Sequence, residues 1–191
     1  ASGKNGAELE LRDMQGVLRY SAAIEPGTTK AVAEPLNGTD LAKSPWERTE
    51  FYSPNALFHG EDFQVIQSIE GLGPKGARAT LSGIASVGWP DEAWETDPAV
   101  VDGALQLAIL CGLHTIGQTL PLRIGKVGYA TPARARAGGP IRCALLVRKQ
   151  TPDHVVCDIT LSASDGTPIV DLVDVEMYKV PSGTTANVAT A

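Results

Sequence analysis

At 191 residues with a hydrophobic fraction of 43%, the chain is long enough for one domain with a sizeable core, or for a domain plus part of a second. Sixteen Lys+Arg against 22 Asp+Glu give a net charge of -6, and no basic stripe interleaved with aromatics occurs, which argues against a nucleic-acid partner. Cys111, Cys143 and Cys157 are odd in number, sit in apolar surroundings and show no Cys-x-x-Cys spacing. They read as buried thiols in a reducing compartment, with neither a metal site nor a disulfide framework indicated. The mildly acidic balance and the lack of an apolar run at the start lead us to expect a cytoplasmic protein. The start also lacks an initiator Met, which fits a piece of a longer protein.

In chain order, residues 8–24 read as a hairpin around Gln15-Gly16. Leu9 and Leu11 alternate with Glu8, Glu10 and Arg12, while Leu18, Tyr20, Ala22 and Ile24 share one face. Residues 25–48 are rich in Pro, Gly and small polar residues without periodicity and read as a linker. From Phe51 the pattern becomes dense, with a strand expected near 63–69 and a second over 76–87 that alternates through Ala77, Ala79 and Leu81. A loop follows, with Trp89 and Trp94 expected to pack over the start of the next element.

That element is the stretch 97–118. Asp97 suits an N-cap and Pro98 the first helical position. The helix that follows is apolar almost all round, so it should be buried, and it is too interrupted to read as a membrane span. Inside it Asp102 and Gln106 lie four apart, on one face. A carboxyl in such a helix is costly unless paired or protonated, so this pair is a candidate catalytic pair, with a structural hydrogen bond to a neighbouring strand as the bland alternative. Four strand-like runs come after it, at 122–130, 141–150, 154–163 and 168–180, separated by good turn chemistry and able to form an antiparallel meander. The tail reads as disordered. The expected fold is therefore α+β, a hotdog: one curved antiparallel sheet wrapped around one long buried helix. The expected boundaries are 1–50 for a hairpin remnant of a preceding hotdog plus linker, 51–180 for the hotdog itself and 181–191 for the tail. A sheet covers such a helix on one side, so the open side calls for a second hotdog or a homo-oligomer mate.

Three segments in order, LFHGEDFQ (57–64), DPAVVDGALQ (97–106) and LPLRIGKVGY (120–129), resemble the C-terminal half of the double-hotdog dehydratase domains of modular polyketide synthases and polyunsaturated fatty acid synthases. The family's Tyr-Gly-Pro-x-Phe segment appears here with His59, Gly60 and Phe63. Its Asp-x-x-x-Gln/His pair is intact as Asp102 and Gln106, and its Leu-Pro-x-x-Trp segment keeps Leu120 and Pro121 but has Ile124 in the Trp place. The resemblance implies removal of water from a 3-hydroxyacyl chain carried on the phosphopantetheine of an acyl carrier protein, giving a trans-2-enoyl thioester. No cofactor of its own, no metal and no membrane partner is implied. Asp102 would protonate the departing hydroxyl, with desolvation keeping it protonated, and Gln106 would hold the substrate oxygen or the carboxyl. His59, Gly60, Phe63, Leu120 and Pro121 would line the substrate tunnel.

The family's base lies in a His-x3-Gly-x4-Pro segment of the first hotdog, and this sequence has none. Of its three histidines, His59 reads as tunnel wall, His114 as a packing or capping residue about three turns past Asp102, and His154 as solvent-exposed. The base is therefore expected from an N-terminal hotdog half, leaving this chain inactive alone. Competing readings are a non-catalytic scaffold or carrier-docking domain, a single-hotdog thioesterase or hydratase acting as a dimer, and a cyclase-type product template. Arg134, Arg136 and Arg142 read as a solvated turn with strand-edge charges rather than as a docking patch.

Overall fold

The structure is a computed structural model and describes residues 6–25, 41–89, 94, 96–130 and 139–181. Its centre is helix α2, Pro98–Thr115, which follows the short helix α1, Arg48–Phe51. The expected cap is in place: Asp97 Oδ1 accepts from the backbone N–H groups of Ala99 (3.1 Å) and Val100 (3.3 Å), and Pro98 occupies the first turn. By length and apolar content α2 would suffice to cross a membrane, contrary to the sequence reading, but most of it is buried within the domain. Gly103 shows how close the packing is: a Cβ there would stand 2.6 Å from Val65 Cγ2 and 3.1 Å from Leu81 Cδ1. One flank is left partly uncovered by the described residues. Val101, Asp102, Leu105, Leu113 and Ile116 are only half-buried and recur at helical spacing, so the sheet covers the other sides.

Six strands wrap the helix in the order β3-β4-β6-β7-β8-β5, all neighbours antiparallel. They are β3 (Ile66–Gly73), β4 (Gly76–Leu81), β5 (Thr119–Tyr129), β6 (Ile141–Gln150), β7 (His154–Ser162) and β8 (Pro168–Lys179). Alternation places Ala77, Ala79 and Leu81 of β4 and Val155, Cys157, Ile159 and Leu161 of β7 in the core, together with Leu107 and Leu110 of the helix. The three cysteines are free and buried there, as their surroundings implied.

The expected four-strand meander holds only for β6-β7-β8. The short turn after α2 sends β5 back beside the helix, with Thr119 packed on Gly112, and β5 then pairs with β8 at the sheet edge. Boundaries also move, two of them for visible reasons. The strand expected from Phe63 begins at Ile66, because residues Glu61–Phe63 form a 3-10 turn closed by Phe63 N–H donating to the Gly60 carbonyl (2.9 Å). The strand expected through 87 stops at Leu81, because Asp97 Oδ2 accepts the N–H of Ile84 (3.0 Å) and Ile84–Ser86 turns into a second 3-10 segment.

The hairpin forms as read: β1 (Ala7–Arg12) and β2 (Leu18–Ile24) make a separate two-stranded sheet, with Leu9 opposite Ala22 and Leu11 opposite Tyr20. Its apolar side chains are exposed, Leu11 at 60% and Tyr20 at 73%.

Candidate active site

α1 is anchored by Phe51, whose side chain is buried, and this sets the next residue, Tyr52, against both β3 and α2. Arg48 fastens the same turn, its guanidinium donating to the carbonyls of Ile66 (3.2 Å) and Gln64 (3.0 Å) and lying 5.3 Å over the Tyr52 ring. The Tyr52 hydroxyl accepts from the backbone N–H of Ile66 (2.7 Å) and donates to Gln106 Oε1 (2.8 Å). Burial raises the phenol's pKa far above its usual value, so it serves as a donor across the whole working range.

Gln106 is completely buried, and three of the four hydrogen-bonding positions of its amide are filled. Its Nε2 donates to the Phe63 carbonyl (2.7 Å) and to Asp102 Oδ2 (2.6 Å), while its Oε1 takes the Tyr52 proton. Two acceptors on the nitrogen side and one donor on the oxygen side leave a single orientation of the amide. The chain Ile66–Tyr52–Gln106–Asp102 therefore holds one carboxylate oxygen in place. Among the described residues Asp102 Oδ1 carries no hydrogen bond. The side chain lies on the open flank and is half-buried, where the apolar sequence around it implied full burial. Sequence reasoning left Gln106 to hold either the substrate oxygen or the carboxyl. Its burial selects the carboxyl.

Phe63 bonds this pair, His59 lies close enough to feel the charge of Asp102, and Gly60 lies between them in the same loop. Gly60 precedes the 3-10 turn, and the Phe63 carbonyl binds Gln106 while its half-exposed ring meets Trp89 edge-on at 5.1 Å. Trp89 is fixed in turn by donating to the Asp62 carbonyl (2.8 Å), and with Trp94 it packs against the cluster of Val65, Ile84 and Ala99, the last in the first turn of α2. The His59 carbonyl accepts from Gln64 Nε2 (3.2 Å), and its ring stacks on Phe58 at 5.2 Å. Burial lowers the imidazole's pKa, and the charge of nearby Asp102 opposes that shift. Among the described residues its buried Nδ1 finds no hydrogen-bond partner.

Leu120 and Pro121 stand elsewhere. They follow Thr119, which packs on Gly112, ten residues and about 15 Å of helix beyond Asp102. His114 is exposed and meets Trp46 edge-on at 6.0 Å, a packing role as expected. His154 is not the exposed residue its turn position implied: it is half-buried, stacked on Tyr178 at 4.2 Å and 3.7 Å from Glu176 Oε2. Arg134 and Arg136 fall outside the described residues, and Arg142 is exposed on β6. Among the described residues no three His, Cys, Asp or Glu side chains converge to hold a metal ion.

Tyr52 and Arg48 are the members that sequence reasoning missed. Neither sits in a periodic pattern, and Tyr52 meets its partner 54 residues away. The only signal was the change to dense apolar sequence at Phe51.

The profile of the polyketide synthase dehydratase N-terminal domain matches residues 29–187. The chain belongs to the polyketide synthase dehydratase family. Solved dehydratase domains share its hotdog fold. A variant of the PpsC dehydratase domain from Mycobacterium tuberculosis aligns with a TM-score of 0.69 at 19% identity, covering 95% of this chain and 66% of that one. The dehydratase domain from the CurF module of curacin polyketide synthase aligns at 0.72 and 16%, covering 93% and 65%. A trans-AT polyketide synthase dehydratase domain from Brevibacillus brevis aligns at 0.69 and 19%, covering 92% and 65%. This dehydratase chain thus spans slightly less than two thirds of those domains, and at such identities the likeness speaks for the fold. No curated protein matches the sequence significantly.

Proposed function

We propose that this chain supplies the acid half of a dehydratase site, acting on 3-hydroxyacyl thioesters carried by an acyl carrier protein. The observation that carries the reading is Asp102 itself, pinned through Oδ2 by a locked amide while, among the described residues, Oδ1 has no hydrogen bond on the less buried flank of the helix. Because Gln106 donates to Oδ2, a proton on the carboxyl belongs on Oδ1, facing the substrate. In the elimination a base removes the proton at the alpha carbon, its electron pair forms the double bond, and the C–O bond at the beta carbon breaks. Asp102 Oδ1 passes its proton to the leaving oxygen, and water departs. Gln106 and Tyr52 are positioning residues: they keep the carboxyl's angle while its protonation changes.

The base is assigned to another segment, an N-terminal hotdog or a mate. Although the matching profile is that of the N-terminal domain, two features support the C-terminal half: the intact Asp102–Gln106 pair and the lack of a His-x3-Gly-x4-Pro segment in this sequence. The half-buried flank of α2 and the exposed apolar side of the β1–β2 hairpin are surfaces that such a half would cover. A scaffold role draws support from Ile124, which packs toward the core where the family has Trp, but it gives no reason for a locked amide beside a free carboxylate oxygen. The test is Asp102→Asn in the intact synthase protein that contains this chain, assayed with a 3-hydroxybutyryl carrier protein. The enoyl product should vanish while the fold persists; enoyl product at the normal rate refutes the assignment.

A further inference from the structure

Both groups that hold the Gln106 amide from outside its own helix, the Tyr52 hydroxyl and the Phe63 carbonyl, are themselves held by one short stretch of main chain. The Tyr52 oxygen accepts from Ile66 N–H (2.7 Å), and the Phe63 carbonyl accepts from Val65 N–H (3.0 Å) as well as from Gln106 Nε2. These two N–H groups sit on consecutive peptide units. The unit that carries Val65 N–H also carries the Gln64 carbonyl, and a peptide unit is planar and moves as one piece. Arg48 grips that carbonyl with Nη2 (3.0 Å) and the Ile66 carbonyl with Nε (3.2 Å). The unit bearing Ile66 N–H lies between the two that it grips. The same guanidinium lies 5.3 Å over the Tyr52 ring, within cation–π range. One side chain thus governs both supports of the amide, although it is exposed and stands on α1 rather than on α2. A lysine ammonium presents its donors from a single atom, so the planar fork is what spans two carbonyls with its charge over a ring.

We propose that Arg48 is a positioning residue for the proton-donating carboxyl: by fixing the main chain at 64–66 and the Tyr52 ring, it sets the orientation of the Gln106 amide and, through it, the angle of Asp102. Arg48 neither gives nor takes a proton and does not touch the substrate. Its effect is on how closely Asp102 Oδ1 is aimed at the leaving oxygen, so its loss belongs in kcat rather than in KM. The inference rests on the dehydratase reading above.

Dehydration of a 3-hydroxybutyryl carrier protein by the intact synthase protein tests it. Arg48→Met keeps the aliphatic stem and removes the fork and the charge; it should lower kcat about tenfold or more and leave KM within about threefold of wild type. Arg48→Lys keeps the charge without the fork and should stay within about threefold of Arg48→Met. Wild-type kcat in either variant overturns the inference. The decisive comparison is made in the Gln106→Leu background. There Arg48→Met should change kcat by less than about twofold, because the lock that it supports is already gone, while its lowering of Tm persists. The same fold-loss of kcat in both backgrounds would make Arg48 a clamp on α1 alone and overturns its positioning role. If Arg48→Met does not fold, Arg48→Lys takes its place in this comparison. Amide hydrogen exchange gives a reading that needs no turnover: in the Arg48 variant Val65 and Ile66 should lose protection while α2 keeps it, and unchanged protection at both amides contradicts the inference. If Asp102→Asn is inactive while Arg48→Met retains wild-type kcat, only the Arg48 inference falls; an active Asp102→Asn removes the dehydratase reading itself.

Discussion

Gln106→Leu removes three hydrogen bonds from a fully buried position without a large change in volume, and so measures what the amide holds together. The Tyr52 hydroxyl loses its acceptor and Asp102 Oδ2 its donor, while the Phe63 carbonyl keeps the N–H of Val65 (3.0 Å). The stranded hydroxyl costs about 1–3 kcal/mol and the lost bond to a charged group about 1.5–3 kcal/mol more. The leucine side chain recovers about 1–2 kcal/mol by apolar burial. The net loss is about 2–4 kcal/mol, which for a domain of this size lowers Tm by about 5–15 °C. Activity should fall further than stability: with the carboxyl free to rotate, misplacement of about 1 Å costs on the order of a hundredfold in rate. Thermal unfolding followed by circular dichroism, together with dehydration kinetics of the same variant in the intact synthase protein, gives both numbers. A Tm within about 2 °C of wild type, combined with full activity, would refute the argument that Gln106 is the lock of the site.

Asp97→Asn should destabilise by about 1–2 kcal/mol although Asn is ordinarily as good an N-cap as Asp. The reason is that both carboxylate oxygens are used, one by the N–H groups of Ala99 and Val100 and the other by Ile84. Urea unfolding checks this, and an unchanged midpoint contradicts it. Gly103→Ala should cost about 1–3 kcal/mol, because its Cβ meets Val65 and Leu81. Val65→Ala combined with it should be more stable than the sum of the two single losses predicts, whereas strict additivity would show that the two sites do not touch. The fold should also lose stability on mild acidification through His59. Its folded-state pKa lies below the ordinary 6.5, so the folded protein takes up the proton less readily than the unfolded chain. That contribution is complete above pH 6.5 and is lost as pH falls through the folded value. Tm measured against pH should therefore decline less steeply in His59→Asn than in wild type over this range; equal slopes would mean that the imidazole is not held in the neutral form.

What was legible in the sequence was local. The cap at Asp97, the extent of α2, the β1–β2 hairpin and the inward residues of β4 follow from residue types and periods confined to one element. The order of the strands was not, since an apolar run carries no mark of its neighbour and only the short turn after α2 assigns β5 to β8. The break at Ser82 was hidden for a related reason: the group that turns the chain there, Asp97, lies outside the run it interrupts. Asp102 and Gln106 were found because four-residue spacing on a helix is a local statement. Tyr52, which orients Gln106 from 54 residues away, and the approach of His59 to Asp102 depend on how α1 and the 59–63 loop settle on the helix.

The central claim is that Asp102 donates the proton that turns the substrate's hydroxyl into water. It is tested most directly by mass analysis of the acyl group left on the carrier protein after incubation of the intact synthase protein bearing Asp102→Asn with a 3-hydroxybutyryl carrier protein. The account predicts that the 3-hydroxyacyl chain persists, with wild-type protein converting it to the enoyl chain under the same conditions and with both proteins unfolding at the same temperature. Enoyl chain formed by the variant at the wild-type rate would contradict it.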